Sequence, residues 1–276
     1  MTNTIKAKGQ DPYKWARARA KKLTQIEKDE NRDISISLSP KKRISKDTQR
    51  LFNVGYLPLQ KIYHELSLDD LANNLADKAK IEYDLNAILS TLIYSRIIYP
   101  SSKLSTFQLS KNFLERQNYE LHHLYRALDV LCKNNQEIQK HLYNESLKVV
   151  DRNSSILYYD CTNYFFEIEH ADGLKQYGKS KENRPSPIVQ MGLFLDGSGI
   201  PLAYNISSGN TNEQITLRPL EKQIIKDFGL SKIVVCTDAG LSSVANRKFN
   251  SIGSRSYITV QSLKKAKDFI KEWALD

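Results

Sequence analysis

Two aspartates follow short apolar runs. Asp160 comes after Ile156-Leu157-Tyr158-Tyr159, and Asp238 comes after Ile233-Val234-Val235-Cys236-Thr237, just before Ala239-Gly240. Carboxylates at the ends of neighbouring sheet strands can converge on one divalent cation, Mg²⁺ or Mn²⁺, which keeps its other positions for water or phosphate oxygens. Such an ion can activate a nucleophilic water or hydroxyl and stabilise the leaving oxygen in a displacement at phosphorus. The competing reading is local. Aspartate before a turn and a helix is a common N-cap, and Asp160 can simply begin a bend. Spacing alone leaves both readings open.

The elements that would position these groups begin after Asn153. Ile156–Tyr159 reads as a strand ending at Asp160, with β-prone residues continuing to Phe166. Strands at 188–195 and 200–206, joined by Asp196-Gly197-Ser198-Gly199, form a hairpin. Thr211-Asn212-Glu213-Gln214 has the form of a capping box, and Leu217, Leu220, Ile224 and Phe228 lie on one helical stripe up to Gly229. The run at 233–236 then predicts an inner strand covered on both faces. A helix at 242–250, a strand at 257–260 and a charged amphipathic helix at 263–273 follow. A hairpin followed by βαβ elements implies an α/β fold with a mixed sheet and helices packed on it.

Residues 57–150 carry a different texture. Leu68, Leu71 and Leu75 form one helical stripe, and Leu85, Ile88, Leu89, Leu92, Ile93 and Ile97 form a second that Pro100 ends. A third runs from Leu121 through Leu147. The expected organisation is a basic, partly disordered arm over 1–50 with a short helix in 13–26, an α-helical domain over 51–152, and the α/β domain over 153–276.

The net charge of +10 is unevenly spread. Residues 1–50 hold 14 Lys/Arg against 6 Asp/Glu, residues 51–155 hold 12 against 12, and residues 156–276 hold 15 against 13. A clustered positive segment is a footprint for a polyanion such as DNA, because neutralising phosphates releases counterions; a solvated tail is the plain alternative. The loop "KQYGKSKENR" adds Lys175, Lys179, Lys181 and Arg184, which can grip DNA phosphates or merely form a solvated connection. No leader and no stretch long enough to cross a bilayer is visible, so no membrane association is expected. Three widely spaced cysteines suggest neither disulfides nor a zinc cluster, and predict a soluble protein of the reducing cytoplasm.

Three blocks in order, "YYDCTNYFFEIE", "KSKENRPSPIVQMGLFLDGSGIPLAYNISSGNTNE" and "KIVVCTDAGLSS", resemble bacterial insertion-sequence transposases of the DDE class. The similarity is to the long branch of the "insertion sequence four" superfamily, whose members carry a helical N-terminal region. It runs from about Tyr83 to Asp276. The resemblance implies an RNase H-like catalytic domain, with the first family carboxylate on Asp160 and the second on Asp238. It further implies Mg²⁺ or Mn²⁺ as cofactor and transposition by metal-dependent phosphoryl transfer. The implied partners are double-stranded DNA bearing terminal inverted repeats and a second copy of the chain on that DNA, in the bacterial nucleoid. The family's third carboxylate lies within Tyr-x-x-Arg-x-x-x-Glu-x-x-x-x-x-x-Lys, and this sequence contains no such signature after Asp238. The glutamate that does follow, Glu272, is weighed as a substitute against a solvent-facing position beside Lys265 and Lys271. With two carboxylates the metal should bind weakly and strand cleavage should be lost or nearly so. A non-catalytic DNA-binding protein derived from a transposase is the alternative.

Overall fold

The computed structural model describes residues 11–30, 51–115 and 117–275. It divides into two compact units, 1–50 and 51–276. In the first, helix α1 spans Pro12–Glu30 and includes the helix expected over 13–26. The remainder of the basic arm, for which partial disorder is expected, lies outside the described residues.

The second unit opens with six helices: α2 (Leu57–Glu65), α3 (Leu68–Ala79), α4 (Leu85–Ile98), α5 (Lys103–Ser110), α6 (Leu121–Lys133) and α7 (Asn135–Val149). Local chemistry sets their ends. Asp84 and Ser102 cap α4 and α5 by accepting hydrogen bonds from the Ala87 and Ser105 amides. The third apolar stripe of the sequence is two helices rather than one. Asn134 breaks it, its side chain turning back to donate to the Val130 carbonyl. Short, polar α5 has no apolar period and was not among the expected elements. Tyr56, Leu75, Leu85, Ile88 and Leu124 are wholly buried among these helices.

Strands β1 (Ile156–Phe165), β2 (Ile188–Asp196) and β3 (Pro201–Ser208) precede α8 (Glu213–Phe228). Strand β4 (Val234–Thr237), helix α9 (Val244–Phe249), strand β5 (Ser256–Thr259) and helix α10 (Asp268–Leu275) follow. The sheet order is β3-β2-β1-β4-β5, with β1, β2 and β3 antiparallel and with β4 and β5 parallel to β1. This is a mixed RNase H-like sheet behind a helical region, the fold class expected. Asn212 caps α8 through the Gln214 amide, and Gly229 ends it at φ 69°; the α8 cap is thus Asn212 rather than Thr211. The final helix starts at Asp268, after a 3₁₀ turn at Leu263–Lys265.

One face of the sheet is packed and the other is open. Leu157, Tyr159, Cys161, Phe194, Ala203 and Val235 pack under Leu217, Leu220 and Ile224 of α8. Gly192 makes room for Tyr159: a Cβ there would lie 2.1 Å from the phenol oxygen, which bonds Thr216 Oγ1 at 2.7 Å. On the opposite face Tyr158, Ile258 and Val260 remain exposed. The expectation that both faces of β4 are covered is therefore corrected. Val235 is buried but Val234 and Cys236 are only partly so, because no element lies over their side of the sheet among the described residues.

The helical region and the sheet are tied by polar bonds at the base of the hairpin. Arg152 Nε donates to Asp196 Oδ2 at 2.7 Å, and its other nitrogens reach Ser146 Oγ and the carbonyls of Ile200 and Pro201. Gln139 Oε1 accepts from the Tyr204 amide at 2.7 Å, and Tyr143 of α7 stacks on Phe228 of α8 at 4.5 Å.

Candidate active site

Asp160 is not at a strand end, as the sequence suggested. Strand β1 continues to Phe165 because its pairing with β2 runs on through Asp160↔Leu193 to Phe165↔Ile188. What ends near Asp160 is the neighbour β4, whose last pair with β1 is Tyr159↔Thr237. The next residues of these parallel strands are Asp160 and Asp238. Asp238 keeps an extended backbone (φ −74°, ψ 176°), and the two backbones run roughly 5 Å apart as adjacent strands do. Side chains alternate along a strand, so Asp160 lies on the open face with Tyr158, and Asp238 on the same face with Cys236. Both aspartates are exposed.

Each carboxylate is partly committed. Asp238 Oδ1 accepts from the Leu241 amide at 3.1 Å, capping a 3₁₀ turn over Ala239–Leu241. The cap reading of Asp238 is thus correct locally, yet it uses one oxygen only. Gly240 leaves space around the second: a Cβ there would lie 3.3 Å from Oδ2. The turn is clamped from behind by Gln214 Nε2, which donates to the Gly240 carbonyl, and by Asn246 Nδ2, which donates to the Leu241 carbonyl. Asp160 Oδ1 accepts from the Cys161 amide at 2.7 Å. Among the described residues the Oδ2 atoms of both aspartates are left without protein partners, and they are the donor pair a divalent cation would need. Two carboxylate oxygens open to water fit a hard cation that retains several waters.

Lysine 181 stands beside this pair. Its Nζ lies 3.7 Å from Asp160 Oδ1 and donates to the Cys161 carbonyl. The loop carrying it is pinned by Asn163, whose Nδ2 donates to the Lys179 carbonyl and whose Oδ1 accepts from the Lys181 amide. Asn163 was not singled out in the sequence, although asparagine inside a strand pattern is a signal for it. The other basic groups diverge. Lys175 pairs with Asp172 at 3.1 Å and lies over the Phe166 ring, while Arg184 pairs with Glu182 at 3.2 Å and stacks 4.3 Å over Phe165. Lys179 is exposed and has no carboxylate partner among the described residues.

Close backbone packing fixes the loop at its other end. A Cβ on Gly178 would come within 1.9 Å of the Gly209 carbonyl oxygen, and one on Gly209 within 2.0 Å of the Ile188 carbonyl oxygen. Gly178→Ala is therefore expected to lift the loop away from β2 and Lys181 away from Asp160. The expected cost is about 1–3 kcal/mol of stability, from overpacking against backbone that cannot yield. Thermal unfolding and the rate of proteolysis within 175–184 measure it; unchanged values for both would contradict the packing described.

Among the described residues no three His, Cys, Asp or Glu side chains form a group that could hold a metal. Glu272 is exposed on α10 and is not gathered with Asp160 and Asp238. Neither is the His122-His123 pair a ligand set: His123 stacks on Tyr83 at 4.8 Å and His122 pairs with Glu120. No described helix is long and apolar enough to cross a membrane.

No family model matches the chain, and no curated protein matches it. Solved structures with some similarity include the piggyBac transposase synaptic complex with hairpin DNA, at 13% identity and a TM-score of 0.33, covering 61% of this chain and 41% of that one. They also include the Mos1 transposase paired-end complex with left transposon end, at 13% identity and a TM-score of 0.27, covering 90% and 76%. A pre-cleavage Mos1 transpososome has 12% identity and a TM-score of 0.28, covering 68% and 65%. The chain thus spans less than half the length of the piggyBac chain and about two thirds to three quarters of the Mos1 chains.

Proposed function

We propose that this chain is a bacterial insertion-sequence transposase of the DDE class, related to the insertion-sequence-four superfamily, and that it lacks the third catalytic carboxylate. The observation that carries the reading is the juxtaposition of Asp160 and Asp238 at one level of adjacent parallel strands, on one open face. In this reading residues 1–50 form a basic arm, 51–152 a DNA-binding helical domain and 153–276 the catalytic domain, working in the bacterial nucleoid. The exposed apolar face around Tyr158, Ile258 and Val260 supports a catalytic domain short of a covering element.

Asp160 and Asp238 would hold Mg²⁺ or Mn²⁺ through their Oδ2 atoms. When bound, the ion would polarise the attacking hydroxyl and offset charge on the leaving oxygen at a DNA phosphate. The chain's own residues do the rest. The clamp of Gln214 and Asn246 on the 239–241 turn keeps the Asp238 carboxylate aimed. Lys181 and Lys179 position a phosphate next to the pair, and Lys175 and Arg184 lie along the same loop, contacts that fix register without reading sequence. Double-stranded transposon ends, bound with a second copy of the chain, are the proposed substrate.

Two ligands instead of three leave the cation weakly held. Mn²⁺ binding followed by paramagnetic resonance is expected to be in the weak, millimolar range and lost in Asp160→Asn and Asp238→Asn, while transposon-end DNA is neither nicked nor joined. Tight Mn²⁺ binding unaffected by both substitutions would sink the assignment of the pair. Robust cleavage abolished by Asp160→Asn would keep the pair and reveal a third ligand. A second reading, DNA binding without chemistry, is favoured by Lys181 already standing against Asp160. A metal-independent gel shift supports either reading; metal-dependent cutting supports only the first.

A further inference from the structure

A second concave site lies in the helical region. Helices α2 and α4 and the 110–119 segment enclose a cavity of about 290 Å³. Its walls are aromatic: Tyr63, Tyr94, Phe113 and Tyr119, with Tyr94 centroids 5.8 Å from Tyr63 and 6.5 Å from Phe113. Its charged lining is acidic, Asp84 and Glu115, and no Lys or Arg lines it among the described residues. The remaining polar groups offer oxygens, including Asn86 Oδ1, which holds the Tyr63 hydroxyl at 2.7 Å.

The negative potential registers on the ring hydroxyls. Burial pushes the Tyr94 phenol up to about 12, reinforced by Glu115 and Asp69. Burial likewise raises Tyr63, with Tyr94, Asp69 and Asp84 adding to it. In a chain of net charge +10 this is a local inversion of sign. DNA phosphates are repelled from such a site. A planar organic cation meets both of its features, ring faces for stacking and carboxylates for paired hydrogen bonds.

We propose that this cavity binds a guanidinium group, stacked against the Tyr94 and Phe113 rings and paired with the Glu115 carboxylate. Tyr56 and Gln60 already donate to Glu115 and so orient it from behind. An ammonium would satisfy the charge but not the flat aromatic walls, so guanidinium is preferred over lysine-like amines. The group can come from a free small molecule or from an arginine displayed on a protein.

Titration calorimetry on the full chain separates these. Agmatine stands for the free cation, acetyl-Gly-Arg-Gly-amide for a displayed arginine, and acetyl-Gly-Lys-Gly-amide and adenosine are comparators. Saturable binding of agmatine or the arginine peptide is expected below about 10 mM, with the tighter of the two naming the source. Glu115→Gln should weaken it about tenfold, as loss of one charge-assisted pair does. Glu115 is exposed, so its substitution leaves the core intact; Asp84→Asn retains an N-cap side chain and should also weaken binding. The proposal is overturned if neither guanidinium probe saturates. It is equally overturned if the Glu115→Gln and Asp84→Asn double variant binds undiminished, if the lysine peptide matches the arginine peptide, or if adenosine binds more tightly than agmatine.

Discussion

Replacing Arg152 by alanine is expected to cost about 3–5 kcal/mol, the range found when one partner of a buried ion pair is removed. The side chains of Arg152 and Asp196 are 2% and 0% exposed. Asp196 would keep two backbone donors, the amides of Ser198 and Ile200, but would lose its neutralising charge while still wholly buried. The carbonyls of Ile200 and Pro201 and the Ser146 hydroxyl would lose the guanidinium as well. For a unit of this size the loss corresponds to a fall of roughly 6–20 °C in melting temperature. Because Ser146 belongs to α7 and Asp196 to β2, α7 and the hairpin should loosen together, which hydrogen exchange of both elements would record. Arg152→Lys should recover only part of the loss, since an ammonium cannot serve three directions in one plane. A loss below about 1 kcal/mol in Arg152→Ala would mean that the pair is wetter than its burial indicates.

Arg152 also marks the boundary of what the sequence discloses. Signals that act within a few residues are legible: Asp84 and Asn212 cap helices, Gly229 ends α8, and Asp196-Gly197-Ser198-Gly199 turns the hairpin. Alternation along β1 separates Leu157, Tyr159 and Cys161 from Tyr158 and Asp160 without any knowledge of partners. Pairings between distant segments are not legible in this way. The pair Arg152 and Asp196 is 44 residues apart. Strand β1 passes through Asp160 only because β2 continues beside it, and a local apolar run cannot disclose that. The same holds for β4, whose apolar composition predicts cover on two faces while its neighbours supply one. At the site, the positions of both aspartates relative to turns could be read from sequence. The approach of Lys181 to Asp160 could not, because it depends on how Gly178 packs against Gly209 and on how Asn163 holds the loop.

Stability should fall as pH rises from about 5 to about 7, and Glu221 should be a principal cause. This α8 side chain is 0% exposed, and burial pushes its carboxyl up to about 7 from the ordinary 4.5. Two neighbours act in the opposite direction: the Asn250 side chain donates to Oε2 at 3.2 Å, and the Arg255 charge lies nearby. They do not offset the desolvation, and Oε1 has no partner. Between the two pKa values the folded chain holds a proton that the unfolded chain releases. The folded state is therefore favoured fully below pH 4.5, and that advantage disappears as pH climbs through 7. The shift corresponds to roughly 3 kcal/mol. Glu221→Gln should abolish this slope, because its amide is neutral at every pH and its nitrogen can donate to an oxygen that is now orphaned, such as Asn250 Oδ1. At pH 8 the variant should be more stable than the parent by about 1–3 kcal/mol, and at pH 4.5 nearly equal to it. Urea unfolding of both proteins across this range measures the difference. A parent stability that rises between pH 5 and 7, with Glu221→Gln following the same curve, would show that this carboxylate is ionised in the folded protein and finds a partner there.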